Sequence, residues 1–142
     1  MNQTSQFEIV DNQNECLAII IRRDFSPGQT TFVSKNEYSQ QLGIIKYPKD
    51  GKIQPHFHNE LPREVVITQE VLVIRKGKVR VDLYDGKLEF VRSVELERGD
   101  AILLVSGGHG FHMLEDSEML EIKQGPYMGR SNDKTTFEGS RQ

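Results

Sequence analysis

Two histidines one residue apart, His56 and His58, are the side chains of this sequence best placed to do chemistry. If the backbone is extended there, both point to one face, and their Cα atoms lie about 6.5 Å apart. That separation lets both imidazoles reach one metal ion at the usual distance of about 2 Å. Glu70 supplies a carboxylate at the start of the next apolar run, residues 71–74, which is closed by a turn at Gly77. The spacing predicts metal-binding side chains that are positioned by strands.

The elements that must hold these side chains read as short strands separated by turns. Alternation is clearest where Val79, Val81 and Leu83 alternate with polar residues, as on a strand with one buried face. Asp85-Gly86 follows as a strong hairpin signal. Further strands are predicted at residues 7–10, 16–21, 30–34, 42–47, 52–58, 71–74, 88–96, 101–105, 111–115 and 118–123. Strands without intervening helices indicate an all-β sandwich or barrel.

The end of the chain shows two further patterns. Leu120 and Ile122 alternate in the last strand and are expected to face the interior. The polar tail from about residue 128 to 142 has little apolar content, so we expect it to be loosely held.

Length and composition bound the class of protein. A chain of 142 residues with 36% hydrophobic and 27% charged residues is most simply one soluble domain, residues 1–142. A net charge of −3 without a basic cluster argues against nucleic-acid binding. We see no secretory signal and no apolar run of membrane-spanning length, so we expect a cytoplasmic protein that does not enter a membrane. Cys16 is the only cysteine and is expected to be a small buried hydrophobe.

The region around the paired histidines resembles the first motif of the cupins, which are small barrels of the double-stranded β-helix type. In that motif a glycine precedes His-x-His, and a glutamate and a second glycine follow. Four residues separate Gly51 from His56 instead of five, and six residues separate Glu70 from Gly77 as the motif requires. The gap from His58 to Glu70 is eleven residues instead of three or four.

The second cupin motif is matched in part. Gly99 and Asp100 fit its start, and Gly107 fits its second glycine. Val105 replaces the motif's proline, and His109 arrives one residue early. The resemblance covers roughly residues 40–125.

The resemblance implies an all-β fold of the cupin type, a jelly-roll barrel in a single domain, and a homodimer. It also implies one divalent metal, iron, manganese, nickel, zinc or copper, bound inside the barrel by His56, His58, Glu70 and His109. His112, three residues further on, competes with His109 for the third histidine position. The ligand type alone does not choose among these metals.

Three functions remain open on this basis. Three imidazoles and one carboxylate leave positions on an ion for water or a chelating substrate, which suits an isomerase or dioxygenase acting on a sugar or organic acid. A second hypothesis is a non-catalytic module that binds or senses a small molecule, because few side chains remain to act as a general base. The third is a metal-free enzyme like the sugar-nucleotide epimerases, with His56 or His58 as base and a tyrosine as acid.

Overall fold

The computed structural model describes residues 7–139, which form ten strands and one short helix. In chain order these are β1 (Phe7–Asn12), β2 (Glu15–Ile21), β3 (Thr31–Phe32), β4 (Gly43–Ile44), β5 (Glu70–Lys76), β6 (Lys78–Tyr84), β7 (Phe90–Glu97), β8 (Ala101–Leu104), β9 (Gly108–Met113), β10 (Glu118–Lys123) and the helix α1 (Arg130–Asp133). The predicted all-β class is therefore confirmed. In this part of the chain no helix is both long enough and apolar enough to cross a membrane.

The strands pair antiparallel in three sheets. A five-stranded sheet has the order β1-β2-β8-β5-β10, a three-stranded sheet has the order β7-β6-β9, and β3 and β4 form a small pair of their own. The predicted run at residues 16–21 becomes β2, a strand with a neighbour on each side.

The main core lies between the five-stranded and the three-stranded sheet. Leu72 and Ile102 contribute from the first sheet, and Val79, Val81 and Leu83 contribute from β6 of the second. The alternation read from the sequence places these three β6 side chains on the buried face, as predicted. The faces that meet in this core are called the inner faces below.

A smaller cluster covers the outer face of the five-stranded sheet. Val71 and Leu103 point to this side and pack with Val33 and Leu42, which lie beside β3 and β4. Cys16 is a half-buried member of the same cluster. Burial raises the pKa of its thiol, which fits the predicted role of a small hydrophobe.

Turns at the predicted positions join the strands. Gly77 has a φ of +82°, which an L side chain rarely adopts, and it allows β5 to turn directly into β6. The β6–β7 hairpin forms at the Asp85-Gly86 signal, where the Asp85 carboxylate accepts bonds from the backbone N–H groups of Lys87 and Glu89 at 2.9 and 3.0 Å. The buried Asp100 carboxylate closes the next turn by accepting from the Glu97 N–H at 2.8 Å.

Two sequence-based expectations differ from the structure. The sheets formed by the described residues do not close into a barrel, because β1 and β10 are edges of one sheet and β7 and β9 are edges of the other. The strand predicted at residues 52–58 is wrong, since residues 45–69 contain no strand. The hydrophobic clusters include residues of β1 and β2 as well.

Two prolines give the physical reason for the missing strand. Pro55 and Pro62 lack the N–H group that a ladder needs, and both fall in the unpaired segment. Residues 45–69 are called the histidine segment below.

The orientation predicted for the last strand is also wrong. In the register of β10 against β5, Glu121 pairs with Leu72, so Glu121 shares the inner face. Leu120 and Ile122 therefore point to the outer side and remain 47% and 49% exposed. An edge strand can carry its apolar residues outward when the register of its partner is fixed by the core.

Candidate functional site

A hydrogen bond between Glu70 and His109 joins the two inner faces. Glu70 is the first residue of β5 and shares the inner face with Leu72, while His109 lies in β9 opposite the buried Leu83. The His109 Nε2–H donates to Glu70 Oε1 over 2.8 Å. Two side chains that are 39 positions apart in the sequence therefore meet because strand register points both of them into the same space.

The backbone just before Glu70 is held by amide side chains. The Gln69 N–H donates to Gln124 Oε1 at 2.8 Å, and Gln69 Oε1 accepts from the Gln40 N–H at 3.1 Å. Gln69 itself is buried. These bonds fix where β5 begins and therefore where the Glu70 carboxylate points.

A second carboxyl group completes the polar cluster. The hydrogen bond from His109 is the largest of the effects that lower the pKa of Glu70 to about 2, although burial acts in the opposite direction. Glu121 also hydrogen-bonds Glu70, and this contact together with burial raises the pKa of Glu121. Glu70 is therefore the ionised member of the carboxyl pair, and Glu121 is the one that retains its proton more readily.

The two histidines of β9 point to opposite sides of the three-stranded sheet. His109 lies opposite Leu83, and its ring contacts Phe111 edge-on at a centroid separation of 5.5 Å. His112 lies opposite Arg80 on the other face and is exposed. Of the two candidates left open by the sequence, His109 is therefore the one that shares a site with Glu70.

An open cavity of about 780 Å³ surrounds the pair. Its lining combines carboxylates, the imidazole, aromatic rings and hydroxyl groups: Glu70, Leu72, Tyr84, Leu88, Gly107, Gly108, His109, Gly110, Phe111, Met119, Glu121, Lys134, Thr135, Thr136, Phe137 and Gly139. An open cavity of several hundred Å³ whose lining combines apolar and polar groups is suited to a small molecule.

The segment after the short helix forms one wall of this cavity. The Phe137 ring meets the Tyr84 ring edge-on, with centroids 5.1 Å apart and planes at 89°. Lys123 reaches the helix and binds Asp133 at 3.4 Å. Residues 134–139 are called the C-terminal strap below; Phe137 packs against Tyr84, whereas Lys134, Thr135 and Thr136 are exposed. Residues 140–142 of the predicted loose tail lie outside the described part of the chain.

His56 and His58 lie elsewhere, on the histidine segment. Both side chains are exposed, and their rings contact each other edge-on with centroids 5.4 Å apart. His56 Nδ1 is 2.8 Å from the carbonyl oxygen of Gln54, which is a local bond within the segment. Neither histidine lines the cavity that holds Glu70 and His109.

The predicted metal ligands are thus divided into two pairs. Within residues 7–139 no three His, Cys, Asp or Glu side chains are arranged so that they could hold one metal ion. The Nε2 atom of His109 is engaged with Glu70, and both paired imidazoles of the histidine segment face solvent. The four predicted residues do not fit a single ion in this arrangement of the chain.

Comparison of the chain with known protein families, curated proteins and solved structures found no match. The resemblance to the cupins therefore stays a prediction that is based on the two sequence motifs.

Sequence reasoning missed three cavity residues, Glu121, Tyr84 and Phe137. A signal existed for Phe137, because it is the one large aromatic residue in an otherwise polar stretch, residues 129–142. Glu121 was hidden because its apolar neighbours suggested the opposite orientation of β10. No pattern indicated Tyr84, which was read only as a polar position in an alternating strand.

Proposed function

We propose that this protein binds a small polar ligand in the cavity between the two sheets and that His109, oriented by Glu70, is the group that exchanges a proton with it. The observation that carries the proposal is the 2.8 Å bond from His109 Nε2 to Glu70 Oε1 in the wall of a cavity of about 780 Å³.

The pairing has a chemical consequence for the imidazole. When Nε2–H donates to a carboxylate, the neutral ring carries its lone pair on Nδ1. A carboxylate that orients a histidine in this way also stabilises the imidazolium that forms when the ring takes up a proton. His109 therefore suits the role of general base that the sequence assigned to His56 or His58 in the metal-free hypothesis.

A matched pair of variants tests this proposal. The wild-type protein is screened by thermal denaturation against sugars, sugar derivatives and organic acids, and any ligand that raises the melting temperature is tested again with His109→Gln and His112→Gln. We expect the shift to disappear in His109→Gln and to persist in His112→Gln, because His112 lies on the other face of the same strand. An equal shift in both variants, or no ligand at all, contradicts the proposal.

Analysis of the bound compound separates two versions of this function. A compound that is chemically altered after incubation identifies an enzyme. A compound that is recovered unchanged, with the same dependence on His109, identifies the binding or sensing module.

A metal-bound form is our second proposal, and the close approach of the His56 and His58 rings favours it. In this form His56, His58, Glu70 and His109 would hold one divalent ion, iron, manganese, nickel, zinc or copper. The histidine segment would have to move against the cavity, and pairing of that segment with a sheet edge would bring the fold closer to a cupin-type barrel.

Elemental analysis of untagged protein tests the metal-bound form. We expect a stoichiometric metal in the wild-type protein and its loss in His56→Ala. Wild-type protein without metal, or full metal content in His56→Ala, contradicts this second proposal.

The homodimer implied by the cupin resemblance is also a proposal. Light scattering at micromolar concentration should give twice the chain mass of 16.3 kDa. A mass equal to one chain would overturn it. The cytoplasmic location stays a prediction.

A further inference from the structure

The polar groups around the cavity include both hydrogen-bond donors and acceptors. Glu70 and Glu121 carry carboxyl groups, whereas Lys134 carries an ammonium group, and Thr135 and Thr136 carry hydroxyl groups. All five residues line the same open space. A ligand that fills it must therefore donate at some positions and accept at others.

Charges of both signs disfavour a charged ligand. An anionic ligand would face the carboxyl groups of Glu70 and Glu121, and a cationic ligand would face Lys134. A hydroxyl group both donates and accepts, so it satisfies either kind of partner without charge. Neutral polyhydroxylated compounds are the class that matches the lining best.

Aromatic rings make up another part of the wall. Phe111 and Phe137 line the cavity, and Tyr84 supports Phe137 through the edge-on contact at 5.1 Å. The faces of aromatic rings pack well against C–H groups of a ligand. A ligand that is polar on all sides would not bury these apolar ring faces from water. A saccharide ring combines hydroxyl groups at its rim with C–H groups on its faces, and so it matches both parts of the lining.

Close contacts hold the C-terminal strap in this position. A Cβ atom built on Gly108 would lie 2.8 Å from Phe137 Cζ, so the ring rests directly on the backbone of β9. Gly139 approaches the Tyr84 hydroxyl group in the same way. The strap therefore contributes a wall of the cavity without belonging to either sheet.

We propose that the cavity takes a neutral saccharide ring and that Phe137 of the C-terminal strap provides the surface on which the ring packs. This inference rests on the proposed function and deepens it, because it chooses sugars over organic acids and assigns specificity to a segment outside the sheets. Phe137 is a specificity-determining residue in this account, and His109 remains the group that exchanges a proton.

The test uses sugars that share a ring and differ in charge. Glucose, glucuronate and glucosamine form one set, galactose and its uronate and amine form a second, and mannose and its counterparts form a third. Binding to the full-length protein is measured by ligand-observed NMR at millimolar concentration. We expect a neutral member to bind about tenfold more tightly than its uronate and its amine, which corresponds to about 1.4 kcal/mol.

Three variants assign the binding to the strap. Phe137→Ala should weaken binding of the neutral sugar about three- to tenfold, the range expected for loss of one aromatic contact. Phe137→Trp keeps an aromatic face and should retain binding. Phe57→Ala removes a phenylalanine that is 85% exposed on the histidine segment, and it should bind like the wild type. Circular dichroism of each variant shows whether the fold is kept.

The outcomes separate this inference from the proposed function. Uronates or amines that bind as tightly as the neutral sugars, or wild-type affinity in Phe137→Ala, overturn the saccharide inference alone. The same holds if only a non-saccharide ligand binds and this binding is lost in His109→Gln. If no ligand depends on His109, both the inference and the proposed function fail.

Discussion

The two pairs of predicted ligands show how differently the same residue types can be held. Glu70 and His109 lie on strands whose register points both side chains inward, and they meet at 2.8 Å. His56 and His58 lie on a segment without strands, and both are exposed. Closeness in the sequence therefore did not build a defined site, whereas the pairing of distant strands brought two functional groups within hydrogen-bond distance.

The comparison extends to the surroundings of each pair. The hydrogen bonds of Gln69 fix the position of Glu70, and the C-terminal strap forms one wall of the cavity around Glu70 and His109. The histidine segment instead exposes apolar side chains, with Phe57 at 85% and Val66 at 83%. Buried neighbours fix a side chain, and the exposed pair has none that would do so.

The largest expected difference between the two regions is in core packing. Leu83 is fully buried and lies opposite His109 in the register of β6 and β9, and Leu83→Ala should lower the free energy of unfolding by about 2–5 kcal/mol through lost burial and the cavity left behind. Phe57→Ala in the histidine segment should change it by less than about 0.5 kcal/mol. Urea denaturation measures both, and equal losses would show that the segment is packed in solution.

The second largest difference is expected between the carboxylates of the two regions, in how much each contributes to the free energy of unfolding. Glu70→Gln removes the charged acceptor of the His109 bond and should cost about 1–3 kcal/mol at neutral pH. Glu64→Gln changes an exposed glutamate of the histidine segment and should be close to neutral. Urea denaturation at pH 7 compares them, and a neutral effect of Glu70→Gln would remove the basis for a fixed pair.

The stability difference between the wild type and Glu70→Gln should depend on pH. The pKa of Glu70 falls from its ordinary value of 4.5 to about 2 in the folded protein, mainly because of the His109 bond. Because the folded pKa is the lower one, this stabilisation is fully present above pH 4.5 and is lost as the pH falls toward 2. Denaturation across this window should show the two proteins converging, and a constant gap would contradict the assignment.

The smallest effect concerns the C-terminal strap. Gly108→Ala places a methyl group 2.8 Å from Phe137 and should displace the strap, whereas nothing lies within 4 Å of a Cβ on Gly110, two residues along the same strand. Loss of about 1 kcal/mol of local stability should make trypsin cleave after Lys134 about fivefold faster in Gly108→Ala. Gly110→Ala is the matched control, and identical rates in the two variants would argue against a docked strap.

The strands were largely predictable because local alternation decides them. Val79, Val81 and Leu83 were correctly assigned to the buried face, and the Asp85-Gly86 hairpin was located. In a strand with one buried face every second side chain points to the core, and this two-residue alternation of apolar and polar residues can be read from the sequence.

The rest depended on information that a single sequence does not carry. Residues 52–58 were predicted as a strand, but a strand needs a partner, and Pro55 and Pro62 weaken any ladder. The orientation of Leu120 and Ile122 was decided by the register of β10 against β5. Docking of Phe137 requires a glycine at position 108. The sequence alone does not indicate which aromatic ring packs against that glycine.

The pairing of Glu70 with His109 is tested most directly by nitrogen NMR of the histidine side chains. In the wild-type protein, at a pH where the imidazole is neutral, we predict that His109 carries its proton on Nε2, with a resonance that shifts in Glu70→Gln. The resonances of His56 and His58 should stay unchanged in that variant. A proton on Nδ1 of His109, or a spectrum that is indifferent to Glu70→Gln, would contradict the account.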